Sequence, residues 1–162
     1  MLATLLSLME VAAWSGIAAL GFGILFNMPK GVIPTVFILG FTAGLIKFGL
    51  MHFNVHIVLA TFIAVFFVGI LCMPIAHKIH HPPVVFCIPP TIPMIPGYFA
   101  YETVLSVMNF IFMETNPSER AVLIDDIFTN GFTMFFILIS ITAGISLPML
   151  LLRKDSVKNL ED

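Results

Sequence analysis

The fold of this chain turns on residues 88–102, which read IPPTIPMIPGYFAYE. Four prolines and a glycine interrupt this apolar stretch, although an uninterrupted helix facing lipid has no use for them. The prolines are Pro89, Pro90, Pro93 and Pro96. Proline removes a backbone donor and disfavours helical geometry at the preceding residue, so the four together predict an unwound or kinked segment. At membrane depth such backbone must be buried in protein or line an aqueous cavity, as it does where secondary transporters bind their substrates.

The composition of the whole chain indicates an integral membrane protein. Of the 162 residues 59% are hydrophobic and 10% are charged, whereas about 25% of residues are charged in a typical soluble domain. The formal net charge is −2 and the basic residues are scattered, which excludes a strongly basic nucleic-acid-binding protein. Cys72 and Cys87 lie in apolar sequence without paired spacing, so we expect small hydrophobic side chains rather than a disulfide or metal ligands.

The apolar runs predict a single all-α transmembrane domain over residues 1–162 with about five transmembrane helices, since one crossing needs roughly 20 residues. The predicted spans cover residues 2–26, 32–51, 55–76, 84–113 and 120–152, and the fourth is broken by the Pro/Gly-rich segment. Because the chain is short, it has little room to build a transport path alone. Dimerisation or a partner subunit is therefore expected.

The second predicted span carries two features with different expectations. Gly40 and Gly44 form a small-xxx-small pair, which is typical of a helix interface. Lys47, near the end of this span, is expected to snorkel to the water interface, with a cavity-facing position as the alternative.

The polar residues around the break predict a binding site. A helix that begins near Gly97 would direct its positive dipole end into the membrane, where a carboxylate is favoured. Thr91, Tyr98 and Tyr101 place hydroxyl groups beside this helix start. Glu102 is the one acid close to the break, and it is either an interfacial or ion-paired carboxylate or a proton-coupling group.

The last helix is predicted to begin at Asn116-Pro117, because an N-cap residue, a proline and then Glu119 follow the usual order of a helix start. Deeper in this helix lie three polar residues, Thr129, Asn130 and Thr133. Such a trio usually forms hydrogen bonds between helices. A substrate contact through Asn130 is the more specific but less favoured alternative.

Catalytic and metal-binding arrangements are not expected. His77, His80 and His81 have a spacing that can bind a metal on a helix, but no carboxylate or cysteine accompanies them and Pro82-Pro83 ends the helix. A pH-responsive interfacial loop is the favoured interpretation. No HExxH motif, serine–histidine arrangement or paired aspartates lie at membrane depth, so we expect no enzyme activity and no cofactor.

The distribution of basic residues predicts the orientation in the membrane. With five spans, the loops that hold Lys30 and Lys78 lie on the same side as the tail at residues 153–158, and that side carries five basic residues. Lys47 and Arg120 lie on the other side. The positive-inside rule therefore places the C-terminus in the cytoplasm and the N-terminus outside.

Several short motifs spread over nearly the whole chain carry a resemblance to a known family. They are GFGILFNMP at residues 21–29, Thr61-Phe62 with Gly69, IPMIPG at residues 92–97 with Ala100-Tyr101, Thr129-Asn130, and Ser146-Leu147-Pro148. Together they resemble the small all-membrane half, or C-terminal-like half, of the threonine/serine exporter family. This half is a separate chain in some members and is fused to a larger half in others.

The resemblance implies a subunit of a bacterial inner-membrane secondary exporter of small hydrophilic metabolites that bear a carboxylate. Threonine and serine efflux driven by the proton gradient is expected, and a dicarboxylate (succinate) exporter subunit is an alternative. A larger subunit of the same family is the expected partner in a hetero-oligomer, and self-association is also possible. From a different class, a non-transporting scaffold or assembly subunit is a further alternative, in which the prolines only shape a packing surface.

These arguments together predict the residues of the site. Substrate binding is expected at Thr91, Pro93, Pro96, Gly97, Tyr98, Tyr101 and Asn130. Glu102 lies outside the family pattern, so a role in proton coupling rests only on its position beside the break.

Overall fold

The computed structural model describes residues 2–79, 82–112 and 116–151, and these residues form helices and turns without a strand. The helices in this part of the chain are α1 (Leu2–Leu25), α2 (Ile33–His52), α3 (Ile57–Ile79), α4 (Pro83–Thr91), α5 (Gly97–Phe112) and α6 (Pro117–Leu151). Short 3₁₀ turns precede α2 at Lys30–Val32 and follow α4 at Ile92–Met94. The prediction of an all-α membrane protein is confirmed.

Within the described residues, four helices are long and apolar enough to cross a membrane. They cover Thr4–Leu25, Lys30–His52, Ile57–Ala76 and Pro117–Leu151. The remaining predicted crossing, over residues 84–113, is divided between α4 and α5 by the 3₁₀ turn. The break in this crossing is therefore confirmed, and the total of five crossings stays a prediction.

Helices α1 and α2 both end at an asparagine with a left-handed backbone. Asn27 has φ 53° and Asn54 has φ 60°. At the end of α1, Asn27 N donates to Ile24 O at 2.9 Å and Met28 N donates to Gly23 O at 3.1 Å. These two bonds satisfy carbonyls that a helix end otherwise leaves unpaired, and asparagine tolerates the left-handed region better than most residues. The same pair of bonds ends α2 at Asn54.

Two compact units make up the chain. The first comprises Met1–Met94 with Ser140–Asp162, and the second comprises Ile95–Ile139. The boundary between Met94 and Ile95 coincides with the broken segment, and the long helix α6 contributes its last turns to the first unit.

Close packing of α1 against α2 organises the first unit. A Cβ built on Gly44 would lie 2.7 Å from Ser15 Cβ and 3.2 Å from Ala12 Cα, and a Cβ built on Gly40 would lie 3.1 Å from Ser15 O and also meet Ala19 Cβ. Only glycine permits two helix backbones to approach so closely. The predicted helix interface at Gly40 and Gly44 is confirmed.

A hydrophobic core joins this helix pair to α3, α4 and the end of α6. The buried residues of the core include Val36, Leu39, Val65, Val68, Cys72, Phe86, Cys87 and Met94. Helix α6 meets α3 through small residues, since a Cβ on Gly69 would lie 2.8 Å from Pro148 Cγ and a Cβ on Gly144 would lie 3.0 Å from Val65 Cγ1. This contact fixes the last turns of α6 on the first unit.

The second unit contains α5 and the first part of α6. Asn116 O accepts a hydrogen bond from Arg120 N at 3.0 Å, so Asn116 occupies the N-cap position that the sequence predicts. The Arg120 guanidinium lies 4.7 Å from the centre of the Phe110 ring, a cation–π distance. A Cβ on Gly131 would lie 3.6 Å from Thr103 Cγ2, which shows where α6 contacts α5.

Candidate functional site

The break in the fourth predicted crossing lies at residues 92–96. After the 3₁₀ turn, Gly97 N donates to Ile95 O at 2.8 Å, and Ala100 N donates to Pro96 O at 3.1 Å. Pro96 therefore caps α5 with its carbonyl, and Gly97 is the first residue of the helix. The helix start that the sequence predicts near Gly97 is confirmed.

The first two prolines of the stretch do not unwind the chain. Pro89 and Pro90 lie inside α4, so the prediction that they take part in the break is wrong. Both rings are fully buried in the first unit, and the Thr91 hydroxyl donates to Cys87 O at 3.0 Å and to Ile88 O at 2.8 Å. Burial against other helices of the first unit keeps α4 helical around the two prolines, and the Thr91 hydroxyl adds hydrogen bonds to its last turn.

Two of the predicted site residues belong to the first unit. Thr91 is 4% exposed and its hydroxyl is engaged with the backbone of its own helix. Pro93 is half-buried in the 3₁₀ turn, beside the buried Met94. Thr91 thus has a structural role in this conformation, and a substrate contact through it stays a prediction.

The first turns of α5 carry most of the remaining predicted residues, and these belong to the second unit. Pro96 is buried, and Gly97 is exposed with no atom within 4 Å of the position a Cβ would take. Tyr98 and Tyr101 are 67% and 63% exposed, and their spacing of three residues places them on one face of the helix. Gly97 and the two tyrosines thus form an open helix start lined with phenol groups.

Two further polar residues of the second unit stand deeper along its helices. Glu102 is half-buried, one turn beyond Tyr98 on α5, and Asn130 is half-buried on α6 next to Gly131. The neighbouring Thr133 hydroxyl donates to Thr129 O at 2.7 Å, so that hydroxyl is engaged with its own helix. The predicted roles of Glu102 in proton coupling and of Asn130 in substrate binding stay predictions.

A buried polar group in the first unit was missed by the sequence analysis. Lys47 is 7% exposed, so the expectation that it snorkels to water is wrong. Ser15 on α1 is also 7% exposed and Thr61 on α3 is fully buried, and neither hydroxyl has a hydrogen-bond partner. The sequence held a signal, because Lys47 follows Gly44 by three residues and therefore shares its interface face on α2.

The described residues contain no group of three or more histidine, cysteine or acidic side chains that would hold a metal ion. His80 and His81 lie outside the described part of the chain, so the predicted pH-responsive loop stays a prediction. Cys72 and Cys87 are fully buried in the hydrophobic core of the first unit.

Comparison with known proteins places this fold in a family. The sequence model described as "Threonine/Serine exporter, ThrE" matches residues 11–151. An uncharacterized protein of Haemophilus influenzae is 30% identical over 147 residues, which are 91% of this chain and 48% of the relative, so the chain spans about half the length of that relative. No solved structure matches the chain. Because the family match covers most of the chain, from α1 to the end of α6, this multi-pass membrane protein belongs to the threonine/serine exporter family, a family of transporters.

Proposed function

We propose that this chain is the small membrane subunit of a secondary exporter in a bacterial inner membrane. Its substrates are small hydrophilic metabolites that bear a carboxylate, threonine and serine first, and the proton gradient drives their efflux. Membership of the exporter family supports the transport activity. The observation that carries the proposal is the broken helix. Its second part starts at Gly97, where no atom lies within 4 Å of the position a Cβ would take, so a substrate can approach the backbone.

The helix start supplies the chemistry that a carboxylate requires. The first N–H groups of a helix lack partners within the helix and lie at its positive end, so they attract an anion. The exposed hydroxyls of Tyr98 and Tyr101 add donors on the same helix face. Glu102, one turn along α5, is the acid that we assign to proton coupling.

A larger partner subunit completes the exporter in this proposal. In this proposal the larger subunit corresponds to the part of the Haemophilus influenzae relative that this chain, which covers 48% of that relative, does not match. Large apolar side chains such as Trp14, Phe67 and Phe136 are at least half exposed and provide surface for lipid and for a partner. In the proposed orientation the N-terminus is outside and the C-terminus is cytoplasmic.

Replacement of Gly97 by alanine tests the substrate path directly. The added methyl group enters open space, so the fold itself gives no reason for a loss of stability. If substrate approaches this backbone, the methyl group blocks the approach, and we expect efflux to fall on the order of tenfold. The measurement is the appearance of threonine, serine and succinate in the medium of cells that express the chain with its partner.

Gly21→Ala is the matched control, because a Cβ on Gly21 also has no atom within 4 Å and Gly21 is not among the residues predicted to bind substrate. It should export at the wild-type rate. Normal efflux by the Gly97→Ala variant, with both subunits present in the membrane, would contradict the proposal and favour a scaffold role. The metabolite that accumulates outside decides between an amino acid and a dicarboxylate.

A further inference from the structure

Three buried polar side chains of the first unit, which we name the Lys47 cluster, come from three different helices. They are Ser15 of α1, Lys47 of α2 and Thr61 of α3. Each is more than nine-tenths buried, at 7%, 7% and 0% exposure. Lysine is almost never buried unless it is paired, so the cluster requires an explanation.

Helical rise places the three residues at similar heights along their helices. Ser15 packs on Gly44, which precedes Lys47 by less than one helical turn on the same face of α2. Helices α2 and α3 pack together and are joined by a short connection, so they run antiparallel. Lys47 lies about 7.5 Å before the end of α2 and Thr61 about 6 Å after the start of α3, at 1.5 Å per residue.

The two hydroxyl groups of the cluster differ from others in the chain. Thr42, Thr103 and Thr133 each donate to the carbonyl four residues earlier, at 2.7–2.8 Å. Ser15 and Thr61 sit in helices where the same bond is available, yet both hydroxyls are buried without a partner. A buried hydroxyl without a partner is costly, so these two are poised to donate to something else.

The ammonium group of Lys47 has no acidic partner among the described residues, where its recorded contact is the Phe48 ring at 5.7 Å. The cluster therefore presents an ammonium with three donors and two hydroxyls that can each donate once. It contains no carboxylate to balance the charge. A carboxylate has the matching charge and several lone pairs, and charge-assisted hydrogen bonds are the strongest of their kind.

Helical rise from the α1–α2 connection gives the end of α4 and Lys47 similar heights in the first unit. The start of α4 is beside the α1–α2 connection, since Val85 and Met28 line the same depression. From this end, α4 and its 3₁₀ turn rise about 19 Å to Met94, and α2 rises about 21 Å to Lys47. The 3₁₀ turn contacts α1, the helix that carries Ser15.

We propose that the Lys47 cluster is a carboxylate-binding site of this exporter, in which the Lys47 ammonium pairs with the carboxylate of the substrate and the Ser15 and Thr61 hydroxyls donate to it. This inference rests on the proposed export of carboxylate-bearing metabolites and adds a second carboxylate-binding position, which a substrate occupies at a different step of export from the helix start at Gly97. It explains why a lysine is retained at an interface otherwise built from glycine, alanine and serine.

The experiment measures direct binding to the purified full chain in lipid nanodiscs. The probes are L-threonine, succinate and L-threoninol, an amino alcohol that lacks the carboxylate. Lys47→Met should weaken binding of L-threonine or succinate by about 10- to 100-fold, because a charge-assisted hydrogen bond is lost, and should leave L-threoninol binding unchanged. Lys47→Arg keeps the charge and should retain most of the affinity.

Lys78→Met is the matched control, because Lys78 is an exposed lysine at the end of α3. It should bind all three probes as the wild type does. If Lys47→Met does not fold, Ser15→Ala and Thr61→Val provide independent tests, and each should weaken carboxylate binding severalfold with little effect on L-threoninol.

Three results would overturn the inference. One is equal affinity of the wild-type chain for L-threonine and L-threoninol together with no binding of succinate. A second is unchanged carboxylate binding by Lys47→Met in a variant that still associates with the larger subunit. A third is unchanged carboxylate binding by Lys47→Met together with loss of that association, which would mean that Lys47 pairs with an acid of the partner. The Gly97→Ala efflux result is independent of these, so failure of the anion site and failure of the proposed path can be distinguished.

Discussion

At the residue scale, Gly44 is a position where close packing of α2 against α1 leaves no room for a side chain. A Cβ there would lie 2.7 Å from Ser15 Cβ and 3.0 Å from Ser15 Oγ. We expect Gly44→Ala to force α1 and α2 apart and to lower the free energy of unfolding by about 1–3 kcal/mol, as overpacking does elsewhere. Thermal unfolding of the purified chain in detergent measures this loss.

Gly49 offers a control on the same helix. A Cβ on Gly49 has no atom within 4 Å, and alanine favours helix over glycine. Gly49→Ala should therefore be neutral or raise the free energy of unfolding by up to about 1 kcal/mol. If Gly44→Ala and Gly49→Ala unfold at the same temperature, the close contact of α1 with α2 does not contribute to the free energy of unfolding, and the prediction is wrong.

At the element scale, α4 has two interior prolines, Pro89 and Pro90, among its nine residues, and the Thr91 hydroxyl adds hydrogen bonds to its last turn. This hydroxyl donates to Cys87 O and Ile88 O, whereas the N–H groups that Pro89 and Pro90 lack would have bonded to Val85 O and Phe86 O. Thr91→Val keeps the shape and removes both bonds, so we expect the free energy of unfolding to fall by about 1 kcal/mol. Thermal unfolding of the chain measures the effect.

Thr91→Ser is the companion variant, since it retains the hydroxyl and loses only a methyl group. It should be more stable than Thr91→Val. Equal stability of the two variants would show that the hydroxyl bonds do not support α4. A valine variant that folds as well as the wild type and fails to export would instead assign Thr91 to the substrate path.

The sequence predicts the helix start at Gly97 because interactions within one helical turn determine it. Pro96 and Gly97 mark a helix start because a missing N–H and a capping carbonyl act within one turn. Pro89 and Pro90 have the same local chemistry, but their burial against other helices outweighs it. A proline pattern therefore locates the break to within a few residues and cannot show which prolines remain helical.

Other features depend on which face of a helix meets which neighbour. Hydropathy places Lys47 near a helix end, which suggests snorkelling, yet its side chain is buried and it shares a helix face with Gly44, which packs against α1. The contact of Gly69 with Pro148 joins residues far apart in the sequence, so no local pattern predicts it. The site residues on α5 were accessible to prediction because they follow the break in sequence, whereas the Lys47 cluster is assembled from three helices.

At the scale of the whole molecule, the number of crossings decides which surfaces face each compartment. Helices α4 and α5 with their turn comprise about 30 residues, enough for a crossing that needs about 20. If this segment crosses, the start of α6 lies on the side opposite the α1–α2 connection. If it enters and returns, the start of α6 lies on the same side as that connection.

Labelling of single introduced cysteines with an impermeant maleimide separates these arrangements, because the native thiols of Cys72 and Cys87 are fully buried. Phe53 is 78% exposed between α2 and α3, Lys30 is exposed before α2, and Ser118 is exposed at the start of α6. With five crossings and a cytoplasmic C-terminus, Phe53→Cys and Ser118→Cys react in intact spheroplasts, and Lys30→Cys reacts only after lysis. Reaction of Ser118→Cys only after lysis would mean that α4 and α5 form a re-entrant pair, so that α5 runs back toward the side of the α1–α2 connection and its start at Gly97 points toward the opposite side.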